Sequence, residues 1–290
     1  MICTENDKIK SFHNAYVNAD EKELDRLWED VAPKSLIKFF SAEYLPDGNN
    51  YSLENISNKK LWLSSPRCFN DPLDCVINVD YQKIGEAISK QIFSFFVGEI
   101  QTERIVQSDL YKQTILKNEE QLWSKMKQTY EKFRNIVYAS CFAETENLFS
   151  LSMWAHYAKN HTGFCAEYDF KSVNNSVEFG CIPIFYTNEY SYMMVTESVN
   201  EGTQNILNFI FTKALDWQYE REWRIAQIKD DLICDGYDIK FSLPKRIYIG
   251  CRASGKLKTD LLKICAENSV ELYQMKLKPG TFMLMYERVL

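Results

Sequence analysis

The order of hydrophobic periods limits this chain most: short strand-like runs lie on both sides of one long helical block. From Tyr81 to about Asn135 apolar residues recur at helical spacing. Ile84, Ile88, Ile92, Phe95 and Phe96 form one stripe, and Leu122, Met126, Tyr130 and Phe133 form another. Strand-like runs precede it at 35–41 and 60–64. More follow at 136–142, 163–169, 182–186, 222–226 and 246–250, with two last ones around Pro279 and Gly280. Shorter helical patterns fall at the N-terminus, at 151–158, 201–215 and 258–268. No repeat and no low-complexity linker divides the chain. The pattern predicts an α+β fold. A single mixed domain, built on a central largely antiparallel sheet or a split β-sandwich, is decorated by helices. Residues 1–34 are expected to form a helical extension, 35–290 the domain, and about 81–136 a helical insertion within it.

Composition supports a packed core, since 18 Phe, 17 Tyr and 6 Trp among 290 residues are too many for a solvating chain. A net charge of -6 leaves no global footprint for nucleic acid. The nine cysteines include no Cys-x-x-Cys pair. They are expected to be reduced thiols of a cytoplasmic protein, with no membrane partner. Gly250 to Lys256 matches a phosphate-binding loop until Leu257, which stands where the Mg²⁺-holding hydroxyl belongs. Glycine is also scarce, at ten residues. The expectation is a strand end, a turn and a helix start. With three histidines (His13, His156 and His161) and no Gly-x-Ser-x-Gly, the usual hydrolytic triads and zinc motifs lack support.

Three constellations can carry chemistry. If the chain is extended from Tyr219, then Glu220, Glu222 and Arg224 share one strand face, and Tyr219, Arg221 and Trp223 share the other. Such carboxylates suit acid/base work, a metal, or stabilisation of a cationic sugar intermediate. The plainer alternative is a solvated strand face. Asn70 and Asp71, bracketed by Pro66 and Pro72, are followed by Asp74; either Asn70 and Asp74 bind a polar ligand or the segment closes an Asx-type turn capped by its own side chains. Trp154, His156 and Tyr157 on a short helix either line a slot for a flat ring or belong to the core.

Taken in order, the blocks at 61–66, 69–75, 140–144, 153–165, 213–225 and 247–250 resemble the bacterial family called domain of unknown function 2971. Members of that family resemble proteins of abortive phage-infection systems. The resemblance implies that the Asn70 loop, the Trp154–Tyr157 helix and the Tyr219–Arg224 segment meet in one cleft. It departs at the first strand, where family members often carry arginine and this chain has Lys38. If an arginine there binds phosphate, Lys38 or Arg67 takes its place.

A looser resemblance, to ADP-ribosyltransferases, implies NAD as substrate, Glu222 as the catalytic carboxylate and Glu220 on the acceptor side. Lys38, Ser64, Asn70, Asp71, Asp74, Trp154, His156, Tyr157, Trp217, Tyr219 and Arg224 would hold the substrate. A protein or nucleic acid would be the acceptor, or a defence-system protein the partner. The alternatives are a ligand sensor or antitoxin without catalysis, and a metal-dependent nuclease using Asp71, Asp74, Glu220 and Glu222.

Overall fold

A computed structural model describes residues 5–17, 20–75, 134–177, 180–188, 209–229 and 234–290, with scattered positions between 104 and 131. Both stripes expected within 81–135, and residues 201–208 of the expected helix at 201–215, lie outside the described residues.

The chain starts with α1 (Glu5–Val17) and α2 (Glu21–Val31). The Asp20 carboxylate caps α2 by accepting the Glu23 N–H at 3.1 Å. The two helices bury Phe12, Ala15 and Leu27, and Phe12 meets the Trp28 ring at 5.1 Å between centroids. Then come β1 (Ser35–Phe40), α3 (Tyr51–Ser57) and β2 (Lys60–Ser64). From residue 137 the chain continues through β3 (Val137–Glu144), α4 (Leu151–Tyr157), β4 (Phe164–Asp169), α5 (Phe170–Asn174), β5 (Cys181–Pro183) and β6 (Phe185–Thr187). The last part holds β7 (Thr212–Ala214), β8 (Glu222–Ile228), β9 (Gly236–Lys240), β10 (Arg246–Ile249), α6 (Gly255–Asn268), β11 (Glu271–Leu277) and β12 (Leu284–Arg288).

Among the described residues, ten strands form one mixed, mostly antiparallel sheet in an α+β fold. Only β10 and β11 run parallel within it, while β6 and β7 form a separate parallel pair. The sheet forks at β3. Strand β8 pairs with β3 from Val137 to Ala143 along one edge. The other edge is shared: β1 takes Ala143 and Glu144, and β2 takes Ala139. Between those two registers lies Cys141, whose carbonyl is met by the Lys38 ammonium at 3.0 Å. A side chain thus fills a ladder position that neither branch reaches.

One sheet face packs Leu36, Phe164, Tyr168, Trp223 and Ile225 against Leu257, Leu261 and Cys265 of α6. Another core joins Phe12 and Leu27 to Ile184, Tyr186 and Phe211. Two glycines are fixed by close approach rather than by φ. A Cβ on Gly163 would meet the Phe40 carbonyl oxygen at 2.0 Å, and one on Gly250 the His161 carbonyl oxygen at 2.2 Å. Gly250 therefore packs against the backbone of 161–163 that leads into β4, and Ser254 caps α6 by accepting the Leu257 N–H. The near-match to a phosphate loop is a strand end and a helix start.

Two expectations are corrected. Residues 212–214 are strand and 215–220 a 3₁₀ turn, so the helix expected to reach 215 ends earlier. Tyr219 and Glu220 are consequently not extended. Long-range pairing of β7 with β6 overrides the local helical period. The described cysteines are free thiols. No helix among the described residues is long and apolar enough to cross a membrane.

Candidate functional site

The site grows from the pairing of β3 with β8. Ala139, Cys141 and Ala143 of β3 stand opposite Ala226, Arg224 and Glu222 of β8. Small side chains on one strand leave room for the long charged ones of the other to lie across the sheet. Both are nearly sealed from solvent, with Arg224 at 0% and Glu222 at 4% exposure. Such burial is tolerable only with complete pairing. The chain supplies it from four segments.

Arg224 grips Asp74 with two parallel bonds, Nη1 to Oδ1 at 2.9 Å and Nη2 to Oδ2 at 2.6 Å. Its Nη1 also donates to the Ile210 carbonyl, and its Nε to Glu222 Oε1. Lys213, at the centre of β7, donates to Glu220 Oε2 at 2.5 Å and Glu222 Oε2 at 2.8 Å, and lies 3.6 Å from Asp74. The Tyr157 hydroxyl donates to Glu220 Oε1 at 2.5 Å, and the Asn70 amide in turn reaches Tyr157. Asn147 donates to the Glu220 carbonyl, and the Tyr186 hydroxyl accepts the Glu222 N–H at 2.8 Å. Between the two carboxylates Arg221 takes a left-handed φ of 43°. That bend ends the 3₁₀ turn and lets a turn residue and a strand residue meet at one ammonium.

The same burial leaves the two glutamates with different acidities. Burial opposes charge on Glu222, but Arg224 and Lys213 outweigh it and hold its carboxyl well below the usual range. Burial also opposes charge on Glu220, and Lys213 offsets it only in part; the repulsion of Glu222 leaves Glu220 at about 7. Burial works against charge on Lys213 too, but Glu222, Glu220 and Asp74 raise it above the lysine range. Burial, reinforced by Glu222, pushes the Cys141 thiol up to about 12.

A cavity of ≈ 130 Å³ opens beside this network at the fork of the sheet. Glu220, Glu222, Asp74 and Lys213 line it, together with Lys38, Asn70, Tyr157 and the apolar walls Phe39, Phe69, Phe142 and Met153. Six of the residues expected at the site therefore share it, and Arg224 lies directly beneath. Trp217 stands close by, its ring centroid 5.0 Å from Lys213 Nζ. His156 is exposed, with its ring edge toward Trp217. Tyr219 packs beside Trp217 and lines a neighbouring pocket of ≈ 290 Å³ that also touches Glu222.

Three expected residues point elsewhere. Trp154 is buried in the core, donates to the Leu148 carbonyl at 2.7 Å and stacks on His161, so it forms no slot with Tyr157. Asp71 accepts the Leu73 N–H and closes its own turn. Ser64 accepts from the Trp62 indole on β2. The donor set does not suit a divalent cation, because Lys213 and Arg224 already occupy the carboxylate oxygens. No group of three metal-ligating side chains occurs among the described residues.

Lys213, Cys141, Phe69, Asn147 and Tyr186 escaped the sequence reading as site residues. For Lys213 a signal existed, a single charge within the apolar run 209–215. Nothing local marks the others. No curated protein and no solved structure matches the chain. Residues 153–225, the stretch that supplies Tyr157, Lys213, Glu220, Glu222 and Arg224, match the family model described as Protein of unknown function (DUF2971).

Proposed function

We propose that the cavity cleaves an N-glycosidic bond, with NAD as the substrate and transfer of ADP-ribose to water or to a macromolecular acceptor. The observation carrying this reading is the divergence of Glu220 and Glu222. Two carboxylates at one ammonium, one kept anionic and one titrating near neutrality, form a working acid/base pair. Glu222 stays charged and stabilises the oxocarbenium-like transition state as the ring leaves. Glu220 accepts the proton of the attacking hydroxyl. The cavity is smaller than the ~300 Å³ at which ligand pockets usually begin, so it suits the leaving ring while the rest of the dinucleotide lies outside. A defence role, as implied by the resemblance to abortive-infection proteins, fits an activity that consumes NAD.

Purified protein, incubated with NAD and a bacterial lysate, is expected to release nicotinamide, and Glu222→Gln to lower release by at least about 100-fold. A folded wild-type protein that releases none, with or without lysate, sinks the reading. One observation favours a second reading, in which the cavity binds a ligand without turnover. Every carboxylate oxygen of Glu220 and Glu222 already has a protein partner. That reading predicts a thermal shift with nicotinamide and no product.

A further inference from the structure

Lys38 stands apart from the charged network that shares its cavity. Among the described residues its ammonium makes one hydrogen bond, to the Cys141 carbonyl, and no ion pair. Its Nζ lies 5.4 Å from the Phe142 ring centroid and 5.8 Å from that of Phe40. Lys213, by contrast, touches two carboxylates within 2.8 Å. The consequence is opposite in sign. Burial lowers the Lys38 ammonium from the ordinary lysine value, with Cys141 and Glu222 opposing, while carboxylate contact raises Lys213. Lys38 is half-buried beside two aromatic rings and has no contacting carboxylate among the described residues, a setting that shifts a lysine toward its free amine.

The charge balance of the cavity allows that form. With Lys38 neutral and Glu220 protonated, Lys213 and Arg224 still balance Asp74 and Glu222. The groups facing Lys38 are Cys141 on β3 and Glu222 on β8. Those facing Glu220 are Tyr157 on α4, Lys213 on β7, Glu222 on β8, and Tyr219 and Tyr186. Cys141, the thiol in the same wall, keeps its proton and does not compete as nucleophile.

We propose that Lys38 is a carbonyl-reactive amine and that the cavity captures a small, uncharged, ring-bearing aldehyde or ketone as an imine on Nζ. The amine nitrogen adds to the carbonyl carbon: the C–N bond forms, the C=O π pair moves to oxygen, and one N–H proton passes to that oxygen, giving the carbinolamine. Glu220 protonates the carbinolamine oxygen. The C–O bond breaks, the oxygen leaves as water, and the nitrogen's remaining proton returns to Glu220. No oxidant or reductant takes part. Phe39, Phe69, Phe142 and Met153 provide the walls for the ring. The proposal does not rest on glycosidic chemistry and survives if NAD is not a substrate.

Benzaldehyde with sodium cyanoborohydride, applied to the full-length protein and followed by peptide mapping, tests it. The expected result is reductive labelling of Lys38 at least about tenfold faster than that of the surface lysines. Lys38→Arg should lose this fast label at an unchanged melting temperature. Glu220→Gln should slow labelling at Lys38 by about 100-fold, the lower end of general-acid effects. Labelling of wild-type Lys38 no faster than that of the surface lysines, or none at all, overturns the proposal whether or not the variants fold.

Discussion

Glu220 and Glu222 carry the same carboxyl group and touch the same ammonium, yet the fold assigns them different protons. The difference is one guanidinium: Arg224 bonds Glu222 and does not bond Glu220. A linkage effect follows. The folded-state pKa of Glu220 lies above its unfolded value of 4.5, at about 7, so the folded chain binds the proton more tightly across that interval. Its contribution favours the fold below the unfolded value and is lost as pH rises to about 7. Glu222 has the opposite sign. Its depressed pKa stabilises the fold above 4.5, and that support disappears as pH falls. Thermal melts between about pH 5 and about pH 8 should therefore show a decline in the wild type that Glu220→Gln flattens. An identical slope in both proteins would mean that Glu220 does not titrate in this window. At this scale the sequence was legible for charge and opaque for partner. Alternating spacing does place Glu222 and Arg224 on one strand face, but Glu220 joins them from a 3₁₀ turn through Lys213, and Asp74 reaches Arg224 from 150 positions away; nothing local announces either.

Most strands could be read from alternation, because β1, β2, β4 and β10 each combine an apolar run with flanking turn residues. The segment 209–221 could not. Its period is helical, its pairing is with β6, and its exit requires a left-handed Arg221 that no residue preference signals. The Trp154 helix shows the converse problem: its boundaries were evident, but i,i+3 spacing does not say which aromatic faces a cavity and which the core. Close approach at Gly163 was equally silent. Gly163 accepts the Gly250 N–H at 2.8 Å and sits against the Phe40 carbonyl, tying β4, β10 and the end of β1 together. Gly163→Ala drives a methyl into that backbone and should cost about 1–3 kcal/mol, read as a lowered urea midpoint at unchanged slope. A midpoint equal to the wild type would show that the three strands separate freely there.

For the whole molecule, the N-terminal helices contribute to the core behind the site. Phe12 and Leu27 join Ile184 and Tyr186 in one cluster, and the Tyr186 hydroxyl receives the Glu222 N–H. Phe12→Ala should destabilise the protein by about 3–5 kcal/mol, measured by denaturant unfolding. A loss below about 1 kcal/mol would mean that α1 rests on the surface without supporting it.

The fork at β3 also bears on how the molecule moves. A strand inside an ordinary sheet is clamped by one neighbour on each side, so parting either neighbour unzips a continuous ladder. Here the shared edge of β3 belongs to two strands at separate registers, with Lys38 bridging the gap. Parting the two branches would break the Lys38 contact and the core that Leu36 of β1 and Leu61 of β2 share, and would leave the β3–β8 ladder intact. Enlarging the resting cavity at this point therefore costs side-chain contacts, not the hydrogen bonds of a continuous ladder.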